Sequence, residues 1–315
     1  MLPPMATAGA GTRRRKNRYA RDFMRYRYLY LMAVPMVLYY LLFCYVPMYG
    51  AIIAFKDFSP ALGTFGSPWA GARHFQSFFK DVYFARIVRN TVMISLKNLV
   101  FGFPAPILLA LMINEVRQNW FKKAVQTISY LPHFISVMVI AGLVIDFTAS
   151  DGVINDLMAL FGAKRQTMLL NPKLFQPVYI ISDIWQGVGW GSIVYLGALT
   201  AVDPQLYEAA QIDGAGKLRQ ILHVTLPGIL PTIVVMLILR MGAIMNVGYE
   251  KIILLYNPSV YETADVISSY SYRKGLLEMN YSYSAAVGLF NSAINFVLVI
   301  STNALSRKLN DTSLW

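Results

Sequence analysis

Long apolar runs alternate with short polar segments along nearly the whole chain. The runs cover residues 28–55, 87–113, 125–148, 177–201, 229–248 and 284–305. Each is near or above the roughly 20 residues that an α-helix needs to cross the hydrocarbon core of a bilayer. Lipid offers no hydrogen-bond partner to a free backbone group, so apolar runs of this length predict helices. The pattern predicts an all-α, polytopic membrane helix bundle with six transmembrane helices over 28–305. A basic tail precedes it at 1–27 and a short tail follows at 306–315. Pro35 and Pro47 predict bends in the first helix, which a membrane bundle tolerates. No repeat of solenoid type is present.

Composition fits this pattern. Of 315 residues, 56% are hydrophobic and 14% charged, against about 25% charged in a typical soluble domain. The net charge of +12 would suggest a nucleic-acid partner in a soluble protein. Here the bases flank apolar runs, and the positive-inside bias accounts for them, so lipid rather than nucleic acid is the expected surrounding. The run at 28–55 is longer than the roughly 7–15 residues of a signal-peptide core, and it lacks an A-x-A-like site near its end. It is read as a retained helix. Arg13, Arg14, Arg15, Lys16, Arg18, Arg21, Arg25 and Arg27 dominate the charge balance. With them, fifteen Lys and Arg fall on the side of the termini and ten on the other. Both termini and the loops 114–124 and 202–228 are therefore expected in the cytoplasm.

The chemistry-bearing residues exclude several function classes. Cys44 is the one cysteine, and His74, His133 and His223 lie far apart, so neither a disulfide framework nor a metal site is expected. No H-E-x-x-H, G-x-S-x-G or close His/carboxylate constellation marks a catalytic residue. Gly214-Ala215-Gly216-Lys217 imitates the end of a phosphate-binding loop, but Gln211 and Leu218 stand where Gly and Ser or Thr are required. The chain is not expected to hydrolyse ATP.

The spans also hold polar groups: Lys97, Asp146, Asp183 and Arg240, with Asn90, Asn98, Gln186, Asn246, Asn291 and Asn295. A charge at mid-bilayer costs at least about 2.5–3.5 kcal/mol, so such groups should face the bundle interior or water. They serve either helix–helix hydrogen bonding or a hydrated substrate path. Gly187, Gly189 and Gly191 form a small-residue pattern that lets helices approach closely.

The loop 203–231 reads DPQLYEAAQIDGAGKLRQILHVTLPGILP. Asp203 can cap a helix and Pro204 fits its first position. Leu206, Ala209, Ala210 and Asp213 follow at helical spacing, and Gly214 can take the left-handed conformation that ends a helix. A second short helix is predicted from about Gly216 to Val224, stopped before Pro227.

This segment resembles the EAA loop of type I ABC importer permeases, EAA-x3-G-x9-I-x-LP. Glu208-Ala209-Ala210, Gly214 and Val224-Thr225-Leu226-Pro227 match it at the required spacing, with Val224 in place of Ile. YLMAVPMVLYYLLFCYVPMYGAIIAFKDF and LSRKLNDTSLW resemble the two ends of multiple-sugar permeases of the lipoprotein-type oligosaccharide branch. The resemblance implies a non-catalytic subunit in a bacterial plasma (inner) membrane. Its implied partners are a second homologous permease, two ATPase subunits that bind ATP and Mg, and an extracytoplasmic solute-binding protein. It gives Glu208, Ala209, Ala210, Asp213 and Gly214 to coupling with the ATPase, and it implies a carbohydrate substrate. The alternatives are a permease for a non-sugar solute and a secondary transporter.

Trp185, Gln186, Arg240, Asn246, Tyr249, Asn291 and Asn295 are the candidates for the substrate path. Sugar hydroxyls that lose water need replacement partners, and Asn291 and Asn295, four apart, share a helix face. Two arrangements of the charges are open. If Asp146 and Asp183 pair with Lys97 and Arg240, the path is neutral and suits an uncharged oligosaccharide. If Arg240 faces an open cavity, it favours an acidic one through bidentate carboxylate contact.

Overall fold

The computed structural model describes residues 24–310 and 313–314. Most of the basic tail, including Arg13, Arg14, Arg15, Lys16, Arg18 and Arg21, lies outside the described residues. The described residues are mostly helical, with one isolated antiparallel bridge between Lys56 and Trp69 and no sheet among them. Five of its helices are long and apolar enough to cross a membrane. They are α1 (Arg27–Phe55), α2 (Phe84–Glu115), α4 (Val137–Leu160), α7 (Lys217–Met241) and α9 (Tyr281–Asn310). The predicted fourth span is α5 (Pro172–Leu199). Its 28 residues suffice in length, but Gln176, Asp183, Gln186 and its glycines keep it short of that apolarity. It packs against α2, α4 and α7 rather than standing at the rim of the bundle.

The predicted run 125–148 is not one helix. A separate helix α3 (Asn119–Tyr130) leads into a tight turn at Leu131–Phe134, and α4 starts afresh behind Ser136. Pro132 supplies no N–H, and the Ser136 side chain accepts from the Val139 N–H at 3.4 Å, capping the new helix. The chain stays helical through Pro35 and Pro47, with a widened stretch at Tyr40–Tyr45 and a tightened one at Tyr49–Phe55. These changes of register absorb the hydrogen bonds that proline removes. Apart from its last turns against α9, α1 buries nothing in this chain.

Glycines set the closest approach. A side chain on Gly189 of α5 would run into the backbone carbonyl of Ser129 on α3. Gly191, two residues on, sits against the Pro106 ring of α2. The small-residue pattern therefore permits direct backbone contact.

At the end of the bundle that carries residue 84, the segment 257–266 ties α2 to α5. The Asn90 amide donates to the carbonyls of Glu262 (2.9 Å) and Asp265 (3.0 Å), and Gln176 donates to that of Thr263 (2.9 Å). Within this segment the Asp265 side chain is fully buried. It accepts two bonds from Arg273 (2.9 and 2.6 Å) and one from Ser269 (2.8 Å), with Arg86 at 3.5 Å. Arg273 also lies over the rings of Tyr256, Tyr261 and Tyr270. Burial disfavours the Arg273 charge, but the bonds to Asp265 and Tyr256 outweigh it and hold the guanidinium above its usual range.

Candidate functional site

Two features stand out, one at the far end of the bundle and one in its middle. The first is the loop after α5. Helix α6 (Pro204–Ile212) begins at Asp203, whose carboxylate accepts from the Gln205 N–H at 2.9 Å. It ends where the Ala215 N–H reaches the Ala210 carbonyl (2.8 Å) across Gly214, with φ of +74°. That is the left-handed turn for which glycine carries no steric cost. The Tyr207 hydroxyl donates to Thr225 (3.1 Å) and Gln220 to the Ala215 carbonyl (2.9 Å), so the loop is braced against α7. Lys217 pairs with Glu115 at the end of α2 (3.0 Å).

The expected stop before Pro227 does not occur. Helix α7 runs without a break through Pro227 and Pro231, because a wide turn at Ile221–Thr225 re-registers the backbone just before Pro227. The loop is thus rigidly continuous with a membrane helix. No residue of α6 is buried: Glu208, Ala209, Asp213 and Gly214 are exposed and Ala210 half-buried. Leu206, Ile212 and Leu218 are exposed as well.

The second feature is a pair of cavities of about 220 and 280 Å³ between α2, α5 and α7, which share Asn98, Asp183 and Arg240 as walls. Asn98 begins a widened stretch of α2, Asn98–Gly102, and its side chain lies over Gly102, where any side chain would collide with it. Asp183 lies near the middle of α5. Its Oδ2 accepts from the Asn98 amide (2.7 Å), and its Oδ1 lies 3.8 Å from the Lys251 ammonium on α8 (Tyr249–Leu255). Past Met241 the chain leaves the helix, and Asn246, Val247 and Gly248 line the smaller cavity. Irregular backbone at this depth is stable where it lines a cavity and its polar groups are satisfied. Ser95 donates to the Ile244 carbonyl (2.6 Å), and Asn295 accepts from the Met245 N–H (3.0 Å).

The candidate residues divide. Arg240 and Asn246 face the cavities. Asn291 and Asn295 do not: both amides donate to Asn246 Oδ1 (2.7 and 3.1 Å), so they position it. Gln186 accepts from Lys251 at 3.4 Å. Trp185 lines a separate apolar groove with Leu143, Phe147 and Ile181, and Tyr249 packs near Tyr272. Of the two arrangements left open, the pairing of Asp146 and Asp183 with Lys97 and Arg240 is not the one that forms. Lys97 donates to Gln176 (2.7 Å), Asp183 is taken by Asn98 and Lys251, and Asp146 is exposed. Arg240 makes no ion pair or side-chain hydrogen bond among the described residues. Asn98, Tyr179 and Lys251 were not among the expected path residues.

Residues 102–311 match the family described as binding-protein-dependent transport system inner membrane component. The chain belongs to this family. The permease is 44% identical to the polygalacturonan/rhamnogalacturonan transport system permease protein YteP of Bacillus subtilis, over 99% of this chain and 98% of that one. It is 41% identical to protein LplB of the same organism, over 99% and 97%. A chain of a bacterial ABC transporter involved in the import of the acidic polysaccharide alginate superposes with a TM-score of 0.85. That chain is 46% identical, with 93% of the permease and 99% of the neighbour covered. A further structure shows that transporter with an alginate pentasaccharide-bound periplasmic protein. The permease is thus a multi-pass inner-membrane protein with the type I ABC importer permease fold, and a transport component that works with a binding protein.

Proposed function

We propose that this permease forms one half of the translocation path of an ATP-driven importer for an acidic oligosaccharide. The observation that carries the reading is Arg240. A guanidinium at this depth is costly unless paired, yet it faces a polar cavity while Asp183, which lines the same cavities, is bonded elsewhere. A fork of donors left open in this way matches a sugar carboxylate. Asn98 and Asn246 supply amides for hydroxyls. The relatives named for polygalacturonan and alginate support an acidic substrate. The arabinooligosaccharide permease AraP of Bacillus subtilis, 25% identical, keeps a neutral oligosaccharide as the second reading.

In this assembly a second, homologous permease completes the path, and an extracytoplasmic binding protein delivers the sugar. Two ATPase subunits hold ATP and Mg and receive Glu208, Ala209, Ala210, Asp213 and Gly214 in a cleft. The continuity of the loop with α7 would carry their motion to the wall bearing Arg240. Both termini and the coupling loop lie in the cytoplasm. The test compares uptake of uronate-containing and neutral oligosaccharides by wild type and Arg240→Gln in the full importer. Selective loss of acidic uptake is expected. Equal loss of both would make Arg240 structural.

A further inference from the structure

Lys251 is a buried lysine, 4% exposed, whose ammonium is only loosely held. Its partners are Gln186 Oε1 at 3.4 Å and Asp183 Oδ1 at 3.8 Å, with the Tyr179 ring centroid at 5.6 Å. A buried charge normally persists only when tightly paired and fully hydrogen-bonded. The same chain shows what such a pair looks like: Asp265 and Arg273 meet through two bonds of 2.9 and 2.6 Å. The Lys251 contacts are longer than the roughly 2.7–2.9 Å of a charge-assisted bond. Asp183 bonds more closely to Asn98, at 2.7 Å, and it lines the same cavities as Arg240.

The placement of the pair matters as much as its length. Lys251 is carried by α8, which follows directly on the irregular stretch Asn246–Gly248 in the cavity wall. Asp183 and Gln186 belong to α5. The contact therefore bridges α5 and a non-helical joint, across which no helix hydrogen bond holds the two together.

We propose that Lys251 is a reserve cation of the substrate site, masked by Asp183, and that the carboxylate of an acidic sugar residue displaces Asp183 from it. The inference rests on the reading of the substrate as acidic. At rest Asp183, in the cavity wall, offsets the buried Lys251 behind it and leaves Arg240 open. With substrate present, one carboxylate meets Arg240 and a second, on the next acidic residue of the chain, takes the ammonium. Asp183 keeps its bond to Asn98. No covalent step or proton transfer is involved.

The experiment uses the complete importer, trapped with ATP and vanadate, and a radiolabelled uronate oligosaccharide. Binding is measured for wild type, Lys251→Gln, Lys251→Arg and Asp183→Asn, and unstimulated ATP hydrolysis reports intact assembly. Lys251→Gln should weaken binding about tenfold or more, the size of one charge-assisted bond, with hydrolysis unchanged. Lys251→Arg should restore most of it, and Asp183→Asn should tighten binding by unmasking the ammonium. Unchanged binding in Lys251→Gln with wild-type binding intact would overturn the reserve cation alone. So would loss of hydrolysis in Lys251→Gln and Lys251→Arg alike, which would make the pair a structural bridge. A wild type that binds only neutral oligosaccharides would overturn the acidic-substrate reading itself.

Discussion

Replacing Asp265 with Asn tests what holds the end of the bundle remote from the coupling loop. The carboxylate is fully buried and neutralises Arg273, with Arg86 at 3.5 Å. Asn keeps the shape and loses the charge. Arg273 and Arg86 are then left as neighbouring cations, both mostly shielded from water. Removing one partner of a buried pair costs about 3–5 kcal/mol, because the other charge stays desolvated. At roughly 2 °C per kcal/mol for a large chain, the thermal midpoint of the purified permease should fall by about 6–10 °C. Adding Arg273→Gln should recover part of the loss, with a coupling energy of about 1–3 kcal/mol between the two sites. The assay is thermal unfolding of the four proteins of the double-mutant cycle in one detergent. A single variant within about 1 kcal/mol of wild type, or strict additivity in the cycle, would refute the reasoning.

Gly189→Leu should separate α5 from α3 and destabilise the fold by about 1–3 kcal/mol or more, read from the same melts, whereas Gly187→Ala, which meets open space, should be nearly neutral. Gly214→Val places a β-branched side chain at φ of +74°, and Glu208→Lys reverses a charge on the exposed face of α6; both should lower ATPase co-purification and uptake while leaving the permease in the membrane. The Asp81 carboxyl is pushed up by burial, but bonds from Tyr270, Tyr283 and the Tyr83 N–H, with Lys274 nearby, outweigh this and set it below the ordinary value of 3.8. Its contribution is therefore fully present above about pH 4 and lost as pH falls through the lowered value, so the melting points of wild type and Asp81→Asn should converge in acid.

The long spans and the helical loop around Gly214 were legible because their signals are local. Apolar runs and the Asp203–Pro204 and Gly214 positions need only neighbours in sequence to declare themselves. The end of the second coupling helix was misjudged because Pro227 is accommodated by a wide turn that no residue spells out. The faces of α5 were decipherable in principle. Tyr179, Asp183, Gly187 and Gly191 recur at four-residue spacing and line the cavities. Leu174, Pro177, Val178, Ile181 and Trp185 mark a different, apolar face. Trp185 falls on this apolar face and not on the one that lines the cavities. The spacing of Asn291 and Asn295 placed them together but not opposite Asn246, since that depends on how α9 meets the end of α7. Which carboxylate reaches which cation is likewise a property of packing. Asp183 has Asn98 and Lys251 as neighbours, and Arg240 is left facing the cavity.

The central claim is that an acidic oligosaccharide crosses the membrane through this permease at the expense of ATP. Proteoliposomes holding the permease, its homologous partner, the ATPase and the binding protein test it most directly. Uronate-containing and neutral oligosaccharides of equal length are offered with ATP enclosed on the side of the coupling loop. ATP-dependent accumulation of the acidic oligomer, well above that of the neutral one, is predicted. Accumulation of the neutral oligomer alone, or of neither with an assembled and ATP-hydrolysing complex, would contradict the account.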